Sequence, residues 1–214
     1  MTYDYVCKSC QYAWETSQRI TDPAIEVCPS CHAKNAQRLV GGGGWSTTVE
    51  NLDVICGLVV LDTWLLNCDR FRVEGAETRR NTRNVFMGAD GAGKGKFRLV
   101  AMDHTHCFTC GRTIGKSIKS IDRVKDTRLY GHFPEFRPHL KHEVISRFSA
   151  HLRTFTRHTA QAIVTSTPSA WRPEAEAVAA VVEFLADRAD FVGQNVRKML
   201  VDQGELQPQL ELEA

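Results

Sequence analysis

The apolar positions of this chain change rhythm several times. Leu52 to Leu66 is an apolar segment in which Asp53, Asp62 and Thr63 are the polar points, and it predicts a buried helix. Asn67 to Asn84 is polar, basic and rich in turn formers, so it reads as a loop. Val85 to Met87 and Phe97 to Met102 predict two short strands, and the glycine-rich stretch between them reads as their hairpin loop. In the C-terminal half, Ile145, Phe148, Leu152, Phe155 and Ile163 recur at steps near three and four, which predicts a helix. Val178, Val181, Leu185, Val192, Val196 and Met199 predict another. Pro168 helps to separate the two, and Pro173 suits the first turn of the second. No internal repeat is visible.

The first forty residues are dominated by two cysteine pairs, Cys7-Lys-Ser-Cys10 and Cys28-Pro-Ser-Cys31. Each pair makes a tight turn that aims two thiolates at one point, and together they supply the four ligands of a tetrahedral structural zinc. Four thiolates leave no open coordination position, so the spacing predicts a structural ion and no zinc-borne reaction. His32, beside Cys31, reads as a bystander. Gly41 to Gly44 forms a flexible linker. The expected division is a cysteine module over 1–40, a linker over 41–48, a main domain over 49–204 and an acidic tail over 205–214.

Composition narrows the picture only a little. Hydrophobic residues make up 43% of the chain and charged residues 24%, ordinary values for a globular protein. A formal net charge of +2 neither demands nor excludes a nucleic acid. No apolar run is long enough for a membrane helix, and the N-terminus lacks the charged and apolar regions of a signal peptide, so a cytoplasmic protein is expected. In a reducing compartment the two early cysteine pairs read as metal ligands, and the third, Cys107 and Cys110, reads as ordinary thiols. Gly88 to Gly95 nearly spells a phosphate-binding loop. It fails where Gly95 replaces the hydroxyl residue and where a strand follows in place of a helix. Arg70, Arg72, Arg79, Arg80 and Arg83 could face phosphate or nucleic acid, or simply line a solvated loop; base stacking is not indicated.

A second set of polar residues carries candidate chemistry. Phosphoryl transfer needs a carboxylate to accept or orient the acceptor hydroxyl, and an amide with a second carboxylate to hold Mg²⁺ on the nucleotide. The order Asp69, Asn84, strand, glycine-rich turn, strand, Asp103 repeats the order in which kinase C-lobes present these groups.

Two resemblances extend these readings. Met1-Thr-Tyr-Asp-Tyr-Val-Cys7, Trp14-Glu15, Gln18, Asp22-Pro23, Cys28-Pro-Ser-Cys31 and Arg38-Leu39 followed by glycines resemble the FmdB-type zinc ribbon over about 1–43. That family implies zinc held by Cys7, Cys10, Cys28 and Cys31, and a regulatory or interaction role. Leu61 to Arg70, Arg80 to Asn84, Val100 to Phe108, and Thr167 to Trp171 with the helix through Arg188 resemble the HipA-like kinase domain over about 50–200. This second resemblance implies that Asp69 is the catalytic carboxylate and that Asn84 and Asp103 hold Mg²⁺ on ATP. Two departures stand out. Val73 to Thr78 looks like an insertion, and no nucleotide-gripping N-lobe precedes the segment, so a protein partner would have to supply or replace it. The expected fold class is α+β, a small zinc ribbon followed by a mostly α-helical kinase-like C-lobe with a short β-hairpin. Two functions follow: an ATP- and Mg²⁺-dependent phosphotransferase or its remnant, and a zinc-ribbon regulatory or interaction protein built on a non-catalytic scaffold.

Overall fold

A computed structural model describes residues 2–17, 23–38, 49–74, 77–88, 92–93, 96–171 and 174–208. The chain divides into two compact units, Met1–Asn51 with Met87–Leu99, and Leu52–Phe86 with Val100–Ala214. The class is mixed α+β with the cysteine module at its N-terminus, as the sequence predicts. The expected glycine linker, the first-turn Pro173 and the last residues of the acidic tail lie outside the described residues.

The first unit is built on a three-stranded antiparallel sheet. Strand β1 (Thr2–Cys7) lies between β2 (Ala13–Ser17) and β3 (Ala36–Arg38). Successive residues of β1 face opposite sides, as the pleat requires. Tyr5 is fully buried, stacks on its cross-strand neighbour Trp14 at 5.3 Å, and accepts the Ile25 N–H on its hydroxyl at 3.0 Å. Val6 packs with Phe97 and Met87, two residues from further along the chain that belong to this unit. Val49 bridges Phe97, and the Asn51 side chain brackets Leu99, accepting its N–H at 2.7 Å and donating to its carbonyl at 2.9 Å.

The second unit begins with α1 (Asp53–Leu65), which ends at Leu66 in the left-handed region. Strands β4 (Phe71–Glu74) and β5 (Glu77–Arg80) then pair antiparallel. The sequence predicts loop here, and the difference has a tertiary cause. Phe71 is buried against Phe133 with ring centres 5.3 Å apart, and the Arg80 guanidinium lies over the same ring at 5.4 Å. An aromatic ring far along the chain therefore anchors a hairpin whose own residues are mostly charged. Strands β6 (Val85–Gly88) and β7 (Arg98–Ala101) form the expected second pair, and so the glycine-rich stretch runs from strand to strand.

The helical half contains α2 (Cys107–Cys110), α3 (Ile121–Val124), α4 (His142–Arg153), α5 (Arg157–Thr165) and α6 (Ala175–Asp202). The apolar series from Ile145 to Ile163 is two helices rather than one. Thr156 starts α5 by accepting the Thr159 N–H on its side chain at 3.1 Å, a standard N-cap that competes with continuation of α4. Ile163, counted in the series, is 55% exposed. Helix α6 buries the whole predicted stripe from Val178 to Met199. Its contact with α4 is close at Gly193, where an added Cβ would meet Arg153 N and Ser149 O at 3.1 Å. No helix among the described residues is long and apolar enough to cross a membrane.

Candidate functional site

The two cysteine turns are copies of one geometry. Cys7 O accepts the Gln11 N–H at 2.8 Å, and Cys7 N–H donates to Tyr12 O at 2.8 Å. Cys28 O accepts the His32 N–H at 3.0 Å, and Cys28 N–H donates to Ala33 O at 3.0 Å. Gln11 and His32 both take left-handed backbone, with φ of 63° and 59°. One left-handed residue after each pair thus closes a turn that leaves both sulfurs on the same side. Cys7 and Cys31 sulfurs are 3.6 Å apart, as are those of Cys10 and Cys28, and all four lie within 4.8 Å of one another. A tetrahedron with Zn–S bonds of about 2.3 Å has sulfurs about 3.8 Å apart, so the spacing fits zinc.

The protonation chemistry agrees. Burial opposes ionisation of Cys7, but N–H groups of Cys10 and Ser9 and the thiols of Cys31 and Cys10 outweigh it and lower its pKa to about 6. For Cys10 the Tyr12 backbone favours the thiolate, yet Cys31, burial, Cys28 and Cys7 together push its pKa up to about 12. Four crowded sulfurs cannot all ionise without a cation among them, and Zn²⁺ supplies that compensation. His32 is exposed and outside the ligand group, consistent with a bystander.

The second candidate site is assembled around a buried arginine. Asp62 and Arg70 are both 0% exposed, and Arg70 Nε donates to Asp62 Oδ2 at 2.6 Å. Asn67 Nδ2 donates to Asp62 Oδ1 at 3.0 Å. Arg70 Nη1 donates to the Asn84 carbonyl and, at 2.9 Å, to the Met102 carbonyl, while Nη2 lies 3.2 Å from His104 Nε2. Gly131, with φ of 67°, leaves room for this pair: a Cβ there would sit 2.0 Å from Asp62 Oδ2. One guanidinium therefore ties α1 to the residue before Asp103 and to Asn84, and stands next to Asp69 in the chain.

Asp69 and Asn84 meet directly. Asp69 Oδ2 accepts Asn84 Nδ2 and Asn81 Nδ2, each at 2.9 Å, and Oδ1 accepts Arg79 Nη2 at 2.5 Å. His106 Nδ1 lies 3.9 Å from Oδ2. Burial works against the Asp69 carboxylate, but Asn81, Asn84, Arg79 and His106 together hold its pKa below the usual range, so it is ionised at neutral pH. The Asn84 amide oxygen accepts no hydrogen bond from the described residues. Asp103 is exposed, with φ of 53°, and its Oδ1 accepts the Thr105 hydroxyl at 2.5 Å and the Thr105 N–H at 3.1 Å. The Thr105 side chain and backbone lower the Asp103 pKa. Asn84 and Asp103 are oxygen donors of the kind Mg²⁺ takes, whereas Asp69 is already engaged by three donors. Among the described residues, Cys7, Cys10, Cys28 and Cys31 are the group of three or more His, Cys, Asp or Glu whose ligand atoms converge.

The basic cluster expected from the sequence separates into different roles. Arg70 is core, Arg79 serves Asp69, and Arg80 pairs with Glu135 at 2.6 Å. The signal for Arg70 was present in Asp62, a charge inside an apolar helix, which burial obliges to find a cation. Cys107 is a free buried thiol whose pKa burial pushes up to about 12, while Cys68 is disulfide-bonded.

No curated protein and no solved structure matches this chain. Residues 1–40 match the family described as zinc ribbon domain, the span closed by the four convergent thiols.

Proposed function

We propose that the chain is a zinc-ribbon interaction protein of FmdB-like type, in which a structural zinc shapes a docking module and the helical unit is its scaffold. The observation that carries this reading is the closed four-sulfur cluster, which spends every zinc valence on the protein. The exposed apolar side chains of Tyr12, at 46%, and Val27, at 42%, support an interaction role, because small ribbons have little surface to waste on solvated apolar area. Crosslinking in cells tests it with the full chain carrying Tyr12→Ser and Val27→Ser. Crosslinked partners should fall several-fold while zinc content stays constant. An unchanged crosslinking pattern would refute the assignment to these two side chains.

A second reading, a HipA-like phosphotransferase or its remnant, is favoured by the Asn84–Asp69 contact and by the Arg70 tie to Met102. On this reading Asp69 would accept the acceptor proton, and Asn84 and Asp103 would hold Mg²⁺, which supplies charge neutralisation on the nucleotide phosphates. A partner chain would provide the roof over adenine. Calorimetry with Mg²⁺ and ATP at millimolar concentration should show binding that Asp103→Ala removes. Absence of any heat would end this reading for the chain acting alone.

A further inference from the structure

We propose that His132 is the sensor of a proton-operated clasp, which holds residues 204–208 in place at neutral pH and lets them go in mild acid. The segment leaves α6 by a left-handed turn. Gly204 has φ of 72°, and the Leu200 carbonyl accepts both the Glu205 N–H at 2.8 Å and the Leu206 N–H at 3.2 Å. Burial of Leu206 and two hydrogen bonds then hold it: Glu205 Oε2 accepts Arg137 Nε at 2.8 Å, and the Gln207 carbonyl accepts His142 Nε2 at 2.6 Å. His132 lies within this arrangement. It is 5% exposed, and its Nδ1 is 3.6 Å from Glu205 Oε2. Its Nε2 is buried and has no hydrogen-bond partner among the described residues. A neutral ring suits that place, with its one proton on Nδ1 towards Glu205 and a bare nitrogen inside. A second proton would have to sit on Nε2, as a buried donor with no acceptor. The charged groups that face the ring pull in opposite directions. Glu205, on the segment, favours the imidazolium, while Arg137, on the turn Pro134–His139, disfavours it and already neutralises that carboxylate. Glu135, on the same turn, is paired with Arg80. Burial is the largest influence, and it sets the His132 pKa below the ordinary histidine value. The bond from Arg137 lowers the pKa of Glu205, which stays ionised in mild acid, so His132 is the group of this set that changes charge. Undocked, the ring takes its proton at about pH 6.5; docked, it does so only at lower pH, so protons taken up between the two values favour release.

The test is amide hydrogen exchange on the full zinc-loaded chain, read at Glu205 and Leu206 and corrected for the intrinsic exchange rate at each pH. Their protection should fall by up to about tenfold between about pH 7.5 and 5.5, the limit for one linked proton over this range. Amides in the middle of α6 should keep theirs. His132→Phe and His132→Gln carry no titrating ring, and each should flatten the pH dependence. Ring-proton NMR of the parent should show His132 titrating below about 6.5, and Leu206→Ser, which weakens docking without touching the ring, should raise that value. Protection that stays flat in the parent, or that falls equally in both His132 variants, would overturn the clasp. So would a His132 that titrates above about 6.5, since acid would then tighten the hold.

Discussion

Cys28→Ser should strip the ribbon of its metal and of its fold. Metal analysis should read about one zinc per parent chain and far less in the variant, because a structural site closed by four thiolates has no spare ligand. The effect is large in energy as well as stoichiometry. Structural zinc contributes roughly 10–16 kcal/mol in small modules, comparable to the whole net stability of a typical domain, ~5–15 kcal/mol. A three-stranded sheet of short strands has a small core: among the described residues its strands bury Tyr5, Val6 and Cys7, with Val6 against Phe97 and Met87. The Tyr5–Trp14 stack should lose its near-ultraviolet dichroism, while the far-ultraviolet helical signal, which comes from the other unit, should persist. His32→Ala provides the contrast and should keep its zinc, since His32 is exposed and outside the ligand group. Full zinc in purified Cys28→Ser would refute the four-thiolate site.

What could be read from residues alone was local or periodic. The cysteine pairs carry their own geometry, since each turn is closed by bonds within a few residues of itself. The stripe from Val178 to Met199 repeats at helical spacing over one unbroken helix, so its buried face was visible in advance. Features that depend on distant partners were hidden. Strands β4 and β5 are charged and bear an exposed Val73, and the partners that anchor them, the Phe133 ring and the Gly131 N–H on the Phe71 carbonyl, lie far along the chain. The order along the chain put Asp69 and Asn84 in one set, and the Asn84 amide donates to Asp69 Oδ2. The engagement of Asp69 by Arg79 was not visible, because it follows from the register of that hidden hairpin. Arg70 was grouped with Arg72, Arg79, Arg80 and Arg83 because a run of arginines does not show which one the charge of Asp62 draws into the core.

Arg188→Met should cost the helical unit roughly 3–5 kcal/mol, the range seen when one member of a buried charged network is removed. Arg188 is 0% exposed, and its donors go to backbone carbonyls alone in the contacts described: Thr63 and Trp64 near the end of α1, Arg123 and Val124 at the end of α3, and Asp126 beyond it. The last four carbonyls of a helix lack partners within the helix, and a buried helix end without a donor is unfavourable. One planar guanidinium on α6 thus satisfies the ends of two other helices and places a positive charge at the negative ends of their dipoles. Methionine fills much of the same space, so the loss measured should be the unsatisfied carbonyls rather than a cavity. Arg188→Lys should recover only part of it, because one ammonium cannot span carbonyls that a fork of nitrogens reaches together. Urea denaturation followed by helical dichroism should therefore rank the stabilities as parent, then Lys, then Met. Equal midpoints for parent and Met would mean that the carbonyls find water instead, and that the guanidinium is not what joins α1, α3 and α6.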